Sequence, residues 1–101
     1  MTYIIVLSRD ARDHLDAIYD YIADASAPDV AKRFTSRIVD HIAKLADFPH
    51  RGSPRDDLAV GLRTIVYKRR VTIAYAIDGD TVLVIGIFYG GRDFETLLRE
   101  E

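Results

Sequence analysis

Residues 61–93, GLRTIVYKRRVTIAYAIDGDTVLVIGIFYGGRD, constrain this chain more than any other stretch. Leu62, Thr64 and Val66 alternate with Arg63, Ile65 and Tyr67, and Val71, Ile73, Tyr75 and Ile77 alternate with Thr72, Ala74 and Ala76. A period of two sends successive side chains to opposite faces, so both runs read as strands. Residues 81–89 are apolar almost throughout, the pattern of a central strand covered on both faces. Asp78-Gly79 between two such runs signals a hairpin, since glycine reaches positive φ without steric cost. The other break is Lys68, Arg69 and Arg70, adjacent cations where a tight turn favours Gly or Asn.

What precedes this sheet reads as a strand and a helical hairpin. Residues 3–7, YIIVL, are short, apolar and β-branched, which predicts a strand buried on both sides or well inside the sheet. Ser8 stands where a helix N-cap would, and behind it Ala11, Leu15, Ile18, Ile22 and Ala25 form one helical stripe ending near Ser26. Pro28 and Asp29 suit the first turn of a second helix, whose stripe is Ala31, Phe34, Ile38, Ile42 and Leu45. Phe48-Pro49 ends it, because a residue before proline is pushed out of the α region. Residues 48–61 have no period and read as irregular, and Phe94, Leu97 and Leu98 predict a short C-terminal helix. The expected fold is α+β, β-α-α-β-β-β with that final helix, its helical hairpin packed on a mostly antiparallel sheet, in a single domain over residues 1–101.

Composition narrows the function classes. Cysteine is absent, which removes disulfides and thiolate metal sites. The apolar start is too short for a signal peptide or a membrane span, so a soluble cytoplasmic domain without membrane association is expected. Residues 48–93 hold seven Lys/Arg against five Asp, an excess of +2 that is no strong nucleic-acid footprint. No sequence-specific nucleic-acid binding is therefore expected of the chain alone.

Candidate chemistry is sparse. There is no Walker loop, dinucleotide fingerprint, Ser/His/Asp order or metal motif, so neither cofactor nor metal is expected. Asp13, Asp16, Asp20 and Asp24 share a helix face with arginines and read as a solvated surface. The tip Lys68, Arg69, Arg70 would be relieved of self-repulsion by any anionic partner. Arg63 on a strand and Arg92 after Gly90-Gly91 could clamp a phosphate or a carboxylate. His50 could serve as a general base if it faced either arginine.

The order of elements, with LSRDARDHLDAIYDYIAD, AKRF and IAKLADFPHRG in the helices and GLR and GGRD bounding the sheet, resembles the ParE/RelE superfamily of bacterial type II toxin–antitoxin toxins. The Leu45 to Gly52 pattern L-x-x-F-P-x-x-G, the GLR and the closing GGRD look like ParE. That resemblance implies a plasmid-stabilising toxin that inhibits DNA gyrase by protein binding, without turnover, and is neutralised by a ParD-like antitoxin laid along an apolar groove or strand edge. A RelE-like toxin, an mRNA endonuclease acting on the ribosome, is the alternative, with Arg63, Arg92 and His50 as its working residues. Thr72 stands where such enzymes carry an arginine, and no tyrosine follows Arg92, which speaks against cleavage. The resemblance sets target or partner contacts around the sheet and C-terminal segment, hence on Arg63, Lys68, Arg69, Arg70, Arg92, Phe94, Leu97 and Leu98. Tyr19, Tyr21 and Phe34 exceed what the hairpin stripes need and are the candidates for the antitoxin groove.

Overall fold

A computed structural model describes residues 2–90 of the chain. Strand β1 (Ile4–Leu7) leads into helices α1 (Arg9–Ala25) and α2 (Pro28–Ala43), then short β2 (Ser53–Pro54), β3 (Leu62–Tyr67), β4 (Val71–Asp78) and β5 (Thr81–Tyr89). The strands form one sheet in the order β1-β5-β4-β3-β2, antiparallel except for the parallel pair β1–β5. This is the expected α+β architecture, with one short strand added inside the stretch read as irregular. The predicted C-terminal helix lies outside the described residues.

The helix starts follow from their caps. The Ser8 hydroxyl accepts from the Ala11 N–H at 3.1 Å and donates to the Ile85 carbonyl at 3.0 Å, which ties the start of α1 to β5. At the other end of α1 the Ser26 N–H returns to the Ile22 carbonyl, and Pro28 opens α2. Ala11, Ile18 and Ile22 of α1 meet Ala31, Ile38 and Ile42 of α2 in one core with Ile73, Tyr75, Val82, Val84 and Ile87 of the sheet. Leu45 extends the second stripe, but from a 3-10 turn at Lys44–Ala46. Each large aliphatic side chain buried here contributes roughly 1.5–3 kcal/mol, so the two stripes hold the helices on the sheet.

Two expectations about coverage need correction. Among the described residues β1 is an edge strand, with Ile4 57% and Val6 43% exposed, and β5, which lies inside the sheet between β1 and β4 as expected, is not wholly covered. Among the described residues the helices cover one face of the sheet, so a wholly apolar strand still turns alternate residues outward. Leu83 on β5 is accordingly 36% exposed.

β5 also changes phase. Tyr75 pairs with Val84 and Ala74 with Gly86, so Ile85 is an unpaired bulge residue. Before it Val82 and Val84 enter the main core, and after it Ile87 and Tyr89 do, while Phe88 joins Leu62 and Ala74 in a small cluster apart from it.

Beneath the far edge, Tyr75 anchors the loop after α2. Its buried hydroxyl donates to the Pro49 carbonyl at 2.7 Å and accepts from the Gly52 N–H at 3.0 Å. A Cβ at Gly52 would collide with that hydroxyl and stand 2.9 Å from the Thr64 carbonyl oxygen, so only glycine fits. Arg63, the cross-strand neighbour of Tyr75, donates from Nη1 to the carbonyls of His50 (3.1 Å) and Gly52 (2.8 Å).

A candidate partner-binding cleft

The tip between β3 and β4 is built under strain. The Arg70 N–H reaches the Tyr67 carbonyl at 3.1 Å, and the residues between them, Lys68 and Arg69, have φ of 51° and 59°. A side chain in the left-handed region costs on the order of 1 kcal/mol where glycine would cost little. The turn therefore holds two cations in a conformation their residue type disfavours. The Gly90 N–H donates to the Arg70 carbonyl at 2.8 Å, which fastens the end of β5 to this tip.

The pairing register then lines up aromatic rings. Val71 sits opposite both Tyr67 on β3 and Tyr89 on β5, so these tyrosines flank it on the helix side of the sheet. Phe34 of α2 drops between them, its ring centroid 5.9 Å from Tyr67 and 5.7 Å from Tyr89, both edge-on. Tyr21 continues the row at 5.8 Å from Tyr89, and His41 at 5.3 Å from Tyr67.

Over this row opens a cavity of about 380 Å³, with Ile22, Val30, Phe34, Tyr67 and Tyr89 as its apolar wall and Arg37, Lys68 and Arg70 as its cationic rim. Among the described residues no carboxylate lines it. Lys68 Nζ stands 6.0 Å from the Tyr67 ring centroid, at the limit of cation–π attraction. An apolar pocket with an unbalanced positive rim is suited to a large apolar side chain with carboxylates or phosphates beside it.

Residues singled out from sequence as separate groups thus meet here. Phe34, a groove candidate, and Lys68 and Arg70, tip candidates, line the same cavity, while Arg69 points from the tip as an exposed residue. Tyr21 is 62% exposed beside the row. Tyr19 lies elsewhere, in a cavity of about 320 Å³ between the helices with Leu15, Thr35 and Val39. Arg63 is engaged with loop carbonyls, and it meets His50 at the backbone, not at the ring. Arg92, Phe94, Leu97 and Leu98 lie outside the described residues.

Sequence reading missed Arg37, Tyr67 and Tyr89 as cleft residues. Arg37 follows Phe34 by three positions, which places it on the same helix face. The two tyrosines end strands on either side of the basic turn, a signal that only the register makes usable. Both helix histidines make contacts across the fold as well. The Ile87 N–H donates to His14 Nδ1 at 3.1 Å, beyond the point where β1 stops pairing with β5. Burial and the positive charges of Arg51 and Lys44 push the His41 pKa below its ordinary value, against the opposing effect of a hydrogen bond to the Val66 backbone.

Two helices packed on one face of a mostly antiparallel sheet are an architecture shared with solved structures of type II toxin–antitoxin systems. The family model described as "ParE toxin of type II toxin-antitoxin system, parDE" matches residues 5–94, and the chain belongs to that family. It is 28% identical over 97 residues to Toxin ParE3 of Caulobacter vibrioides, covering 96% of each chain. The fold is shared with a structure titled as the chromosomal ParDE system of P. aeruginosa, at TM-score 0.78 and 23% identity, covering 88% of this chain and 97% of the other. It is shared also with the toxin–antitoxin complex RelBE2 of Mycobacterium tuberculosis, at TM-score 0.68 and 21% identity, covering 88% and 99%. Among the described residues no helix is long and apolar enough to cross a membrane.

Proposed function

We propose that this toxin acts in the bacterial cytoplasm by binding DNA gyrase and blocking replication, and that a ParD-like antitoxin holds it inactive. The observation that carries this reading is the merging of groove and tip: Phe34, Lys68 and Arg70 share one cleft. An antitoxin segment seated there would cover the very cations offered to the target, so neutralisation would be direct occlusion. The inward engagement of Arg63 agrees with a binding surface, since Nη1 already serves two carbonyls. Arg92, Phe94, Leu97 and Leu98 complete the proposed contact surface from the C-terminal segment.

The test is tightly controlled expression in a bacterium lacking the antitoxin. Filamentation with accumulation of cleaved DNA–gyrase complexes is the expected outcome. Immediate translation arrest with codon-phased mRNA cuts would sink the proposal and favour the ribosome-dependent nuclease. Phe34→Ala together with Arg70→Gln should weaken both toxicity and antitoxin binding; loss of one alone would show that the cleft is not shared.

A further inference from the structure

On the other side of Tyr67 a second cavity, of about 260 Å³, opens along the edge of β3. It exists because β2 is so short. Ser53 and Pro54 pair with Thr64 and Arg63, so among the described residues no strand lies beside the edge of β3 from Ile65 onward. The space is closed by His41 from α2 and Arg51 from the turn held by Tyr75, with the Ser53 and Thr64 side chains between them. Among the described residues no carboxylate lines this cavity either. Arg51 has no ion-pair partner among the described residues, and neither do the Ser53 and Thr64 hydroxyls make a hydrogen bond there.

We propose that this cavity binds a phosphate group, with Arg51 as the charge partner and Ser53 and Thr64 as hydroxyl donors. The chemistry follows from the lining: a guanidinium and two hydroxyls are all donors, and a tetrahedral anion accepts from each at once. His41 adds to this. Burial, and then the field of Arg51 and Lys44, disfavours the protonated imidazole, against the opposing effect of a hydrogen bond to the Val66 backbone. An anion seated beside Arg51 would cancel part of that field and let the imidazole take up a proton as a further donor. The site adjoins the aromatic cleft through the His41–Tyr67 contact but is lined by different residues, and it does not depend on the identity of the toxin's target.

The experiment titrates the full chain with inorganic phosphate and, separately, with a short single-stranded oligothymidylate, following the His41 ring protons and the backbone amides of Arg51, Ser53 and Thr64 by NMR. Both probes should shift these signals. A tighter oligonucleotide would assign the site to a nucleic-acid phosphodiester, and equal or tighter phosphate to a small free anion. Arg51→Gln, at an exposed position, should weaken either probe about tenfold, and Thr64→Val by a few-fold, while Lys68→Gln changes inorganic phosphate binding less than about twofold. Shifts centred on Lys68, Arg69 and Arg70, or an Arg51→Gln chain binding as tightly as the original, would overturn the proposal.

Discussion

Replacing Tyr75 by Phe removes one oxygen atom and leaves two buried backbone groups, the Pro49 carbonyl and the Gly52 N–H, without their partner. Each orphaned group costs roughly 1–3 kcal/mol. The ring itself still fills its fully buried place, so no cavity larger than the lost hydroxyl adds to this. Some relaxation of the loop will recover part of the loss, so a net destabilisation of about 2–3 kcal/mol is expected. For a domain of this size that lowers Tm by on the order of 10 °C. Urea unfolding should show a lower midpoint at an unchanged slope. The same residue predicts an alkaline signature. Burial holds the Tyr75 hydroxyl pKa above 10, and the opposing influences of the Gly52 hydrogen bond and of Arg63 and Arg51 do not reverse this. The folded state therefore keeps a proton that the unfolded chain gives up near pH 10. The stability tied to that proton is complete below pH 10 and declines as pH rises toward the raised folded value. Tyr75→Phe should lack this component. A destabilisation under about 0.5 kcal/mol, with identical alkaline slopes in both proteins, would refute the assignment of Tyr75 as the anchor of the loop.

Other outcomes follow from the same geometry. Arg69→Gly should raise stability by about 1 kcal/mol, because glycine accepts the positive φ that arginine resists; a drop in thermal midpoint would show that the turn is unstrained. His41, with a folded pKa below the unfolded value near 6.5, contributes stability that is present above pH 6.5 and lost as pH falls through the depressed value. His41→Asn should flatten that acid slope in urea titrations between pH 7 and 5, and an unchanged slope would locate the effect elsewhere. His14→Ala leaves the Ile87 N–H without its acceptor and should cost about 1–3 kcal/mol, with faster hydrogen exchange at the Ile87 amide. Retained protection there would mean another acceptor takes over.

Much of this fold is local chemistry, and that part was legible. Ser8, Pro28 and Asp78-Gly79 act within a few residues of themselves, and each does what its type dictates. The stripes of α1 and α2 were readable for the same reason, since helical spacing fixes a face whatever the face meets. The strands were visible as strands, but their places in the sheet were not. An all-apolar run is compatible with a covered strand or an edge, and β1 became an edge because of topology alone. The Ile85 bulge leaves no mark in the sequence, and it decides which β5 residues face the helices. The site shows the same division. The tip Lys68, Arg69, Arg70 was visible as three adjacent cations, and Phe34 as a surplus aromatic. Their meeting with Tyr67, Tyr89 and Arg37 depends on strand register and helix rotation together. Arg63 looked like an outward clamp, because nothing local to it reveals the two carbonyls brought back by the 49–52 loop.

The bulge also bears on how such a gene can change. Losing the codon for Ile85 would leave Val84 opposite Tyr75 and Gly86 opposite Ala74, now in an unbroken ladder. Ile87 and Tyr89 would keep the helix side and Phe88 the other, because each stays opposite the same β4 residue. A change in length that the bulge does not compensate would instead move Tyr89 from its place opposite Val71 and interrupt the ring row that begins at Tyr21. The bulge is thus the point at which this strand can absorb the loss of one residue.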